Sequence, residues 1–146
     1  MPKFAQGFFE MKNPSKYVGL KKPLARSSWE FVFMRMLDEH PGVENWASES
    51  VQIPYRDPLT GRQTIYVPDF FIVYIDKNKK KHAELVEVKP ASQTLREKVG
   101  KSAYNQQQYI KNLAKWEAAS KWCKQQNIRF RVVNENEIFH QGGNRR

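Results

Sequence analysis

The chain has 146 residues, enough for one domain with a buried core, and its 40% hydrophobic and 13% aromatic content excludes a disordered polymer. Its 25 Lys and Arg against 15 Asp and Glu leave a net charge of +10, which favours a polyanionic partner such as nucleic acid. The lone cysteine, Cys123, excludes an internal disulfide and a cysteine-rich zinc site, and the absence of an apolar leader, spanning segment or lipidation signal sets the expectation of an intracellular protein with no membrane partner.

Residues 1–26 carry Lys3, Lys12, Lys16, Lys21, Lys22 and Arg26 with three prolines and little periodicity, which predicts a basic N-terminal arm laid on the domain or on DNA. Ser27 to about His40 is a predicted helix with Phe33, Met34 and Leu37 as its apolar stripe, ended by Pro41-Gly42. Ser48–Tyr55 reads as a strand, Asp57-Pro58-Leu59-Thr60-Gly61 as a turn, and Gln63–Asp76 as one long central strand. Lys77-Asn78-Lys79 is a tight turn from which Lys81–Lys89 returns as the partner strand. Pro90–Gly100 is read as a loop or irregular crossover. The long helix of Lys101 to about Gln126 follows, with Ala103, Ile110, Leu113 and Ala114 as its stripe and Gln106 as a satisfied core amide. Arg129–Val133 is one further strand that rejoins the sheet, Glu135–Phe139 a short helical turn, and 141–146 a flexible basic tail. The order α-β-β-β-α-β predicts an α/β (α+β) domain over 27–140, a mixed sheet with helices on its faces.

The acidic residues fall where strands should carry packing residues. If Asp76 pairs with Lys80 across the turn, antiparallel register sets Asp69 opposite Glu87, with Cβ atoms about 4.5–5.5 Å apart. Glu87 and Lys89 then project from the same face as Asp69, and a one-residue slip would separate them. Two carboxylates suit a hard cation such as Mg²⁺ or Mn²⁺, the Val88 backbone carbonyl can add an oxygen, and Lys89 can position or help deprotonate an attacking water. An Asp69–Lys89 salt bridge is the structural alternative. Glu30 is a further candidate at the edge of the first helix's stripe, although Ser27-Ser28-Trp29-Glu30 also fits a capping box. Lys111, Lys115, Lys121 and Lys124 are read as a solvated or DNA-facing surface, and His40, His82 and His140 lack metal-ligand spacing.

Pro68-Asp69 followed by Glu87-Val88-Lys89 resembles the PD-(D/E)XK nuclease superfamily. Arg26-Ser27-Ser28-Trp29-Glu30, Trp46-Ala47-Ser48-Glu49, Ile53-Pro54-Tyr55, Tyr66-Val67-Pro68-Asp69-Phe70, Glu87-Val88-Lys89-Pro90 and Asn112-Leu113-Ala114-Lys115-Trp116-Glu117-Ala118 further resemble the head completion nucleases of large contractile-tailed phages. The resemblance runs from about Tyr17 to Phe139. It implies a restriction-endonuclease-like core and Mg²⁺- or Mn²⁺-dependent DNA cleavage, with Asp69, Glu87, Lys89 and Glu30 as site residues. It also implies processing of packaged DNA so that filled heads join tails, with phage head or neck proteins as partners and a homodimer as one form. The expected location is the host cytoplasm during phage assembly, or the virion. The Trp-Glu helix and the long Trp-bearing helix also resemble the nuclease subunit of Tn7-type transposases, which makes a transposon end-cleaving subunit the enzymatic alternative. A non-catalytic DNA-binding component of the virion neck is the alternative from another class. The Gln-x-x-x-Tyr helix motif of RecB-like nucleases is not met, because Asn105 stands at that spacing before Tyr109.

Overall fold

The computed structural model describes residues 6–90, 100 and 102–134. Most of the loop expected after Pro90, the turn expected at 135–139 and the tail at 141–146 lie outside them. The described part of the N-terminal arm is bound to the domain. Strand β1, Gly7–Phe8, pairs antiparallel with β2, Leu24–Ala25, and a single 3-10 turn covers Pro14–Lys16.

Helix α1, Ser28–Glu39, starts where Ser27 takes an extended backbone and its Oγ accepts the Glu30 N–H at 3.1 Å. Phe33, Met34 and Leu37 are buried as expected, and so is the charged Asp38. Its carboxylate accepts the Lys12 N–H at 2.9 Å and the Asn13 N–H at 3.0 Å, which clips the arm to the helix. Lys16 Nζ donates to the Asp38 carbonyl at 2.9 Å and the His40 carbonyl at 2.7 Å, a cation on the negative end of the helix.

Among the described residues the main sheet has four strands. They are β3 (Val43–Ser48), β6 (Phe70–Ile75), β7 (Lys81–Val88) and β8 (Arg129–Val133), in spatial order β3-β6-β7-β8. Strands β3, β6 and β7 are antiparallel neighbours, whereas β8 runs parallel to β7. Helix α2, Ala103–Gln125, supplies the crossover that a parallel neighbour requires. Strands β4 (Ile53–Arg56) and β5 (Gln63–Tyr66) form a separate two-stranded ribbon packed on α2. The core order α1-β3-β6-β7-α2-β8 is the expected alternation of types, with the ribbon inserted.

Three expectations need correction. The strand placed at Ser48–Tyr55 is the end of β3 and the start of β4, broken at Glu49. There the backbone turns left-handed (φ 51°), and Arg26 Nε holds the carboxylate at 3.2 Å. Most of β3 was missed because its ladder shifts register between Val43 and Asn45, which spoils the two-residue alternation. The long strand at Gln63–Asp76 is two strands in two different sheets, separated by Val67-Pro68-Asp69. Pro68 has no N–H to give a ladder.

The third concerns α2. Its buried residues are Asn112, Ala119 and Cys123, while Ile110 and Leu113 are 45% and 47% exposed. Gln106 is exposed too, and its side-chain N–H donates to the Gly100 carbonyl at 3.1 Å, so it is no core amide. Cys123 is packed in the core, and burial pushes its thiol up to about 11.

The sheet divides two cores. On one side Phe70, Ile72, Val86 and Val88 pack against α1 and Trp46; on the other Leu85 and Phe71 join Ile53, Tyr55 and Tyr66 beneath α2.

Candidate active site

The β6–β7 hairpin sets the geometry. Phe70 pairs with Val86 and Ile75 with Lys81, and at the turn the Asp76 N–H donates to the Lys80 carbonyl at 2.9 Å. One step beyond the Phe70–Val86 pair the same register sets Asp69 opposite Glu87. Asp69 lies just past the last ladder residue of β6, and its Oδ2 accepts the Val88 N–H at 2.7 Å. Its carbonyl accepts the Glu49 N–H at 2.9 Å, so main chain holds the residue on two sides.

Glu87 is 5% exposed on the α2 face of the sheet. Oε1 accepts the Tyr66 hydroxyl at 2.9 Å, and Oε2 lies 3.5 Å from Lys89 Nζ. The lysine's ion pair is thus with Glu87, not the Asp69 partner weighed as the structural alternative. Lys89 is itself fixed by its N–H, which donates to the Val133 carbonyl of β8 at 2.9 Å.

Glu30 does two things. Its Oε1 accepts the Arg26 N–H at 3.0 Å, reaching back across the start of α1 in the manner of a capping box, one residue earlier than the usual partner. It also stands near enough to the carboxylates for its negative charge to act on Asp69, and Lys89 acts on it in turn. The structure therefore brings Asp69, Glu87 and Lys89 together at one end of the sheet, with Val88 between the last two, and leaves Glu30 on α1 within electrostatic reach of Asp69 and Lys89.

All three carboxyls are raised above the usual carboxylate range, and burial is the largest cause for each. Burial, then the charges of Glu87 and Glu30, push the Asp69 carboxyl well above the usual carboxylate range, against the Val88 N–H and Lys89. Burial also raises Glu87, opposed chiefly by Lys89 and the Tyr66 hydroxyl. Glu30 is raised by burial, with the Arg26 N–H pulling the other way. Burial thus leaves the charged forms poorly solvated, and a divalent cation is one group that would stabilise them. Among the described residues no group of three or more His, Cys, Asp and Glu side chains is arranged to hold a metal ion. The donors on offer are two carboxylates with main-chain oxygen, a sparse all-oxygen set that suits an ion such as Mg²⁺, which keeps several waters.

Two neighbours escaped the sequence reading. Tyr66 ends β5 and is 4% exposed, and burial beside Glu87 holds its hydroxyl protonated, far above the usual range. Lys115 of α2 places its ammonium 5.7 Å from the centre of the Tyr66 ring. Burial, then the Lys89 charge, lower its pKa, and Glu87 opposes the shift. Lys115, expected on a solvated or DNA-facing surface, is half-buried toward the sheet; its helical spacing from Asn112 and Ala119 points there, a pattern hidden by the exposed apolar residues of the same helix.

The model of the TnsA-like endonuclease N-terminal family matches residues 40–135. The head completion nuclease of Enterobacteria phage T4 is 33% identical over 137 residues, covering 87% of this chain and 89% of that protein. Tyr66, Asp69, Glu87, Lys89 and Lys115 fall inside the family match, and Glu30 precedes it.

Proposed function

The chain belongs to the TnsA-like endonuclease family, with the restriction-endonuclease-like fold that this family implies, and from that premise we propose that it is a divalent-metal-dependent deoxyribonuclease of phage head completion. It processes packaged DNA so that filled heads can join tails. The observation that carries the catalytic part is the juxtaposition of Asp69 and Glu87 with Lys89 on one face of a register-fixed hairpin.

Asp69, Glu87 and the Val88 carbonyl would hold Mg²⁺ or Mn²⁺, with Glu30 serving a second ion or the nucleophile. When bound, the ion supplies a Lewis acid for the phosphodiester and makes hydroxide accessible near neutral pH. Lys89 orients the attacking water with its ammonium and offsets charge that builds on the phosphate. Tyr66 keeps Glu87 aimed by its hydrogen bond, and the Val88 N–H does the same for Asp69. The basic surface holds the DNA backbone with little sequence preference, so binding weakens steeply with salt. Head or neck proteins are the protein partners, with a homodimer as the form that cuts both strands, in the host cytoplasm during assembly or in the virion.

A transposon end-cleaving subunit is disfavoured, since the similarity to the head completion nuclease spans nearly the whole of both chains. Plasmid cleavage with Mg²⁺ or Mn²⁺ tests the reading. The unaltered protein should cut, while Asp69→Ala and Lys89→Ala should not. An unaltered protein that binds DNA and leaves it intact with every divalent ion would instead be a structural neck component.

A further inference from the structure

Lys115 is a cation beside the site that the carboxylates and Lys89 leave unused. It stands on the α2 face toward the sheet, one turn after the buried Asn112 and one turn before the buried Ala119. Its carboxylate neighbours have closer partners. Glu87 is shared by the Tyr66 hydroxyl at 2.9 Å and Lys89 at 3.5 Å. Asp57 lies 3.7 Å from Lys111 and accepts the Leu59 N–H at 2.8 Å. Among the described residues Lys115 has a ring beneath it and no ion pair. A partly buried ammonium without a counter-ion is costly, and an anion entering the site removes the cost. Asn112, 2% exposed, likewise has an amide nitrogen with no acceptor among the described residues.

The two flanks of the site differ in which cations are already paired: on the α1 side Arg26 and Lys21 both meet Glu49, at 3.2 and 3.6 Å, and on the α2 side Lys89 meets Glu87 and Lys111 meets Asp57, which leaves Lys115. Lys89, Lys111 and Lys115 stand on the α2 side, because Glu87 and Lys89 alternate with Val86 and Val88, which pack toward α1. Resting on the nuclease reading, we propose that Lys115 binds a non-bridging oxygen of the scissile phosphodiester, so that the DNA strand enters from the α2 side of the sheet. Tyr66 supports it from below.

Lys115→Met keeps the aliphatic stem and deletes the charge, and Lys115→Arg keeps the charge. Two readouts apply: single-turnover cleavage with Mg²⁺ at saturating DNA, and the salt dependence of DNA binding without divalent metal. The Met variant should cut on the order of 100-fold more slowly, as when one oxyanion donor is lost. Its log–log salt slope should become shallower by about 1, the share of one phosphate contact. The Arg variant should retain the slope and most of the rate. Thermal melting accompanies each variant, and Lys115→Gln replaces the Met variant if that one unfolds. Unchanged rate and slope in the charge-deleted variant overturn the proposal. A changed slope at unchanged rate overturns it too, because the contact then lies at another phosphate. If the unaltered protein never cuts, the nuclease reading falls by itself, and the salt slope still tells whether Lys115 meets a phosphate.

Discussion

Asp69→Asn removes a negative charge that faces Glu87 and Glu30, yet keeps an oxygen able to accept the Val88 N–H. Two carboxylates about 5 Å apart repel by about 3 kcal/mol at an effective dielectric of about 20. Lys89 and the solvent that still reaches Asp69 offset more than half of this, leaving about 1–1.5 kcal/mol. The metal-free Asn variant should therefore be more stable than the unaltered protein at neutral pH, although it cuts no DNA. With a urea dependence of about 2 kcal/mol per molar, the unfolding midpoint should rise by about 0.5 M. The pH dependence follows from the direction of the shifts. Asp69 and Glu87 bind protons more tightly folded than unfolded, so their contribution is full below the ordinary carboxylate value near pH 4. It is lost as pH rises through their raised folded values. The gap between the two proteins should thus be small in acid and widen toward pH 7.5, read by urea titration in the presence of a chelator. A midpoint for Asp69→Asn below that of the unaltered protein at pH 7.5 would refute the argument from burial and carboxylate repulsion.

Tyr66→Phe deletes the hydroxyl that donates to Glu87 at 2.9 Å. Mn²⁺ affinity by calorimetric titration should fall on the order of 10-fold, as for other groups that orient a ligand, and an unchanged affinity would show that Tyr66 does not position Glu87. Glu30→Gln keeps an acceptor for the Arg26 N–H, so unfolding free energy should hold within about 0.5 kcal/mol while cleavage drops at least about 10-fold. Full cleavage by that variant would reduce Glu30 to a helix cap. Asp38→Ala strands the Lys12 and Asn13 N–H groups and should cost about 2–3 kcal/mol in denaturant titration; a loss under about 0.5 kcal/mol would mean the arm is not clipped to α1.

The residues that could be read in the sequence are those whose partners are close along the chain. Asp76 and Lys80 close a short turn, and from that turn the facing of Asp69 and Glu87 follows by counting. Ser27 and Glu30 mark the start of α1 for the same reason. Where a local irregularity intervened, the reading failed: the bulge in β3, the left-handed Glu49 and the proline break before Asp69 each interrupt a period. In α2 a different competition won. The part of the helix bordering the carboxylates turns Asn112 and Lys115 toward the sheet and leaves Ile110 and Leu113 toward solvent, so hydrophobicity pointed to the wrong face. The Tyr66–Glu87 contact joins two different sheets, and no spacing rule announces such a pair.

The parallel pairing of β8 with β7 bears on when during synthesis the enzyme comes into being. A nascent chain that has just passed Lys89 already holds every residue of the motif, but β7 is still an open edge and the Lys89 N–H has no acceptor. Its acceptor, the Val133 carbonyl, arrives after the whole of α2, and pairing so distant along the chain forms slowly. Translation products that stop short of β8 carry the motif without its support. A chain in which β8 has yet to form should therefore hold Lys89 less firmly than the finished fold does.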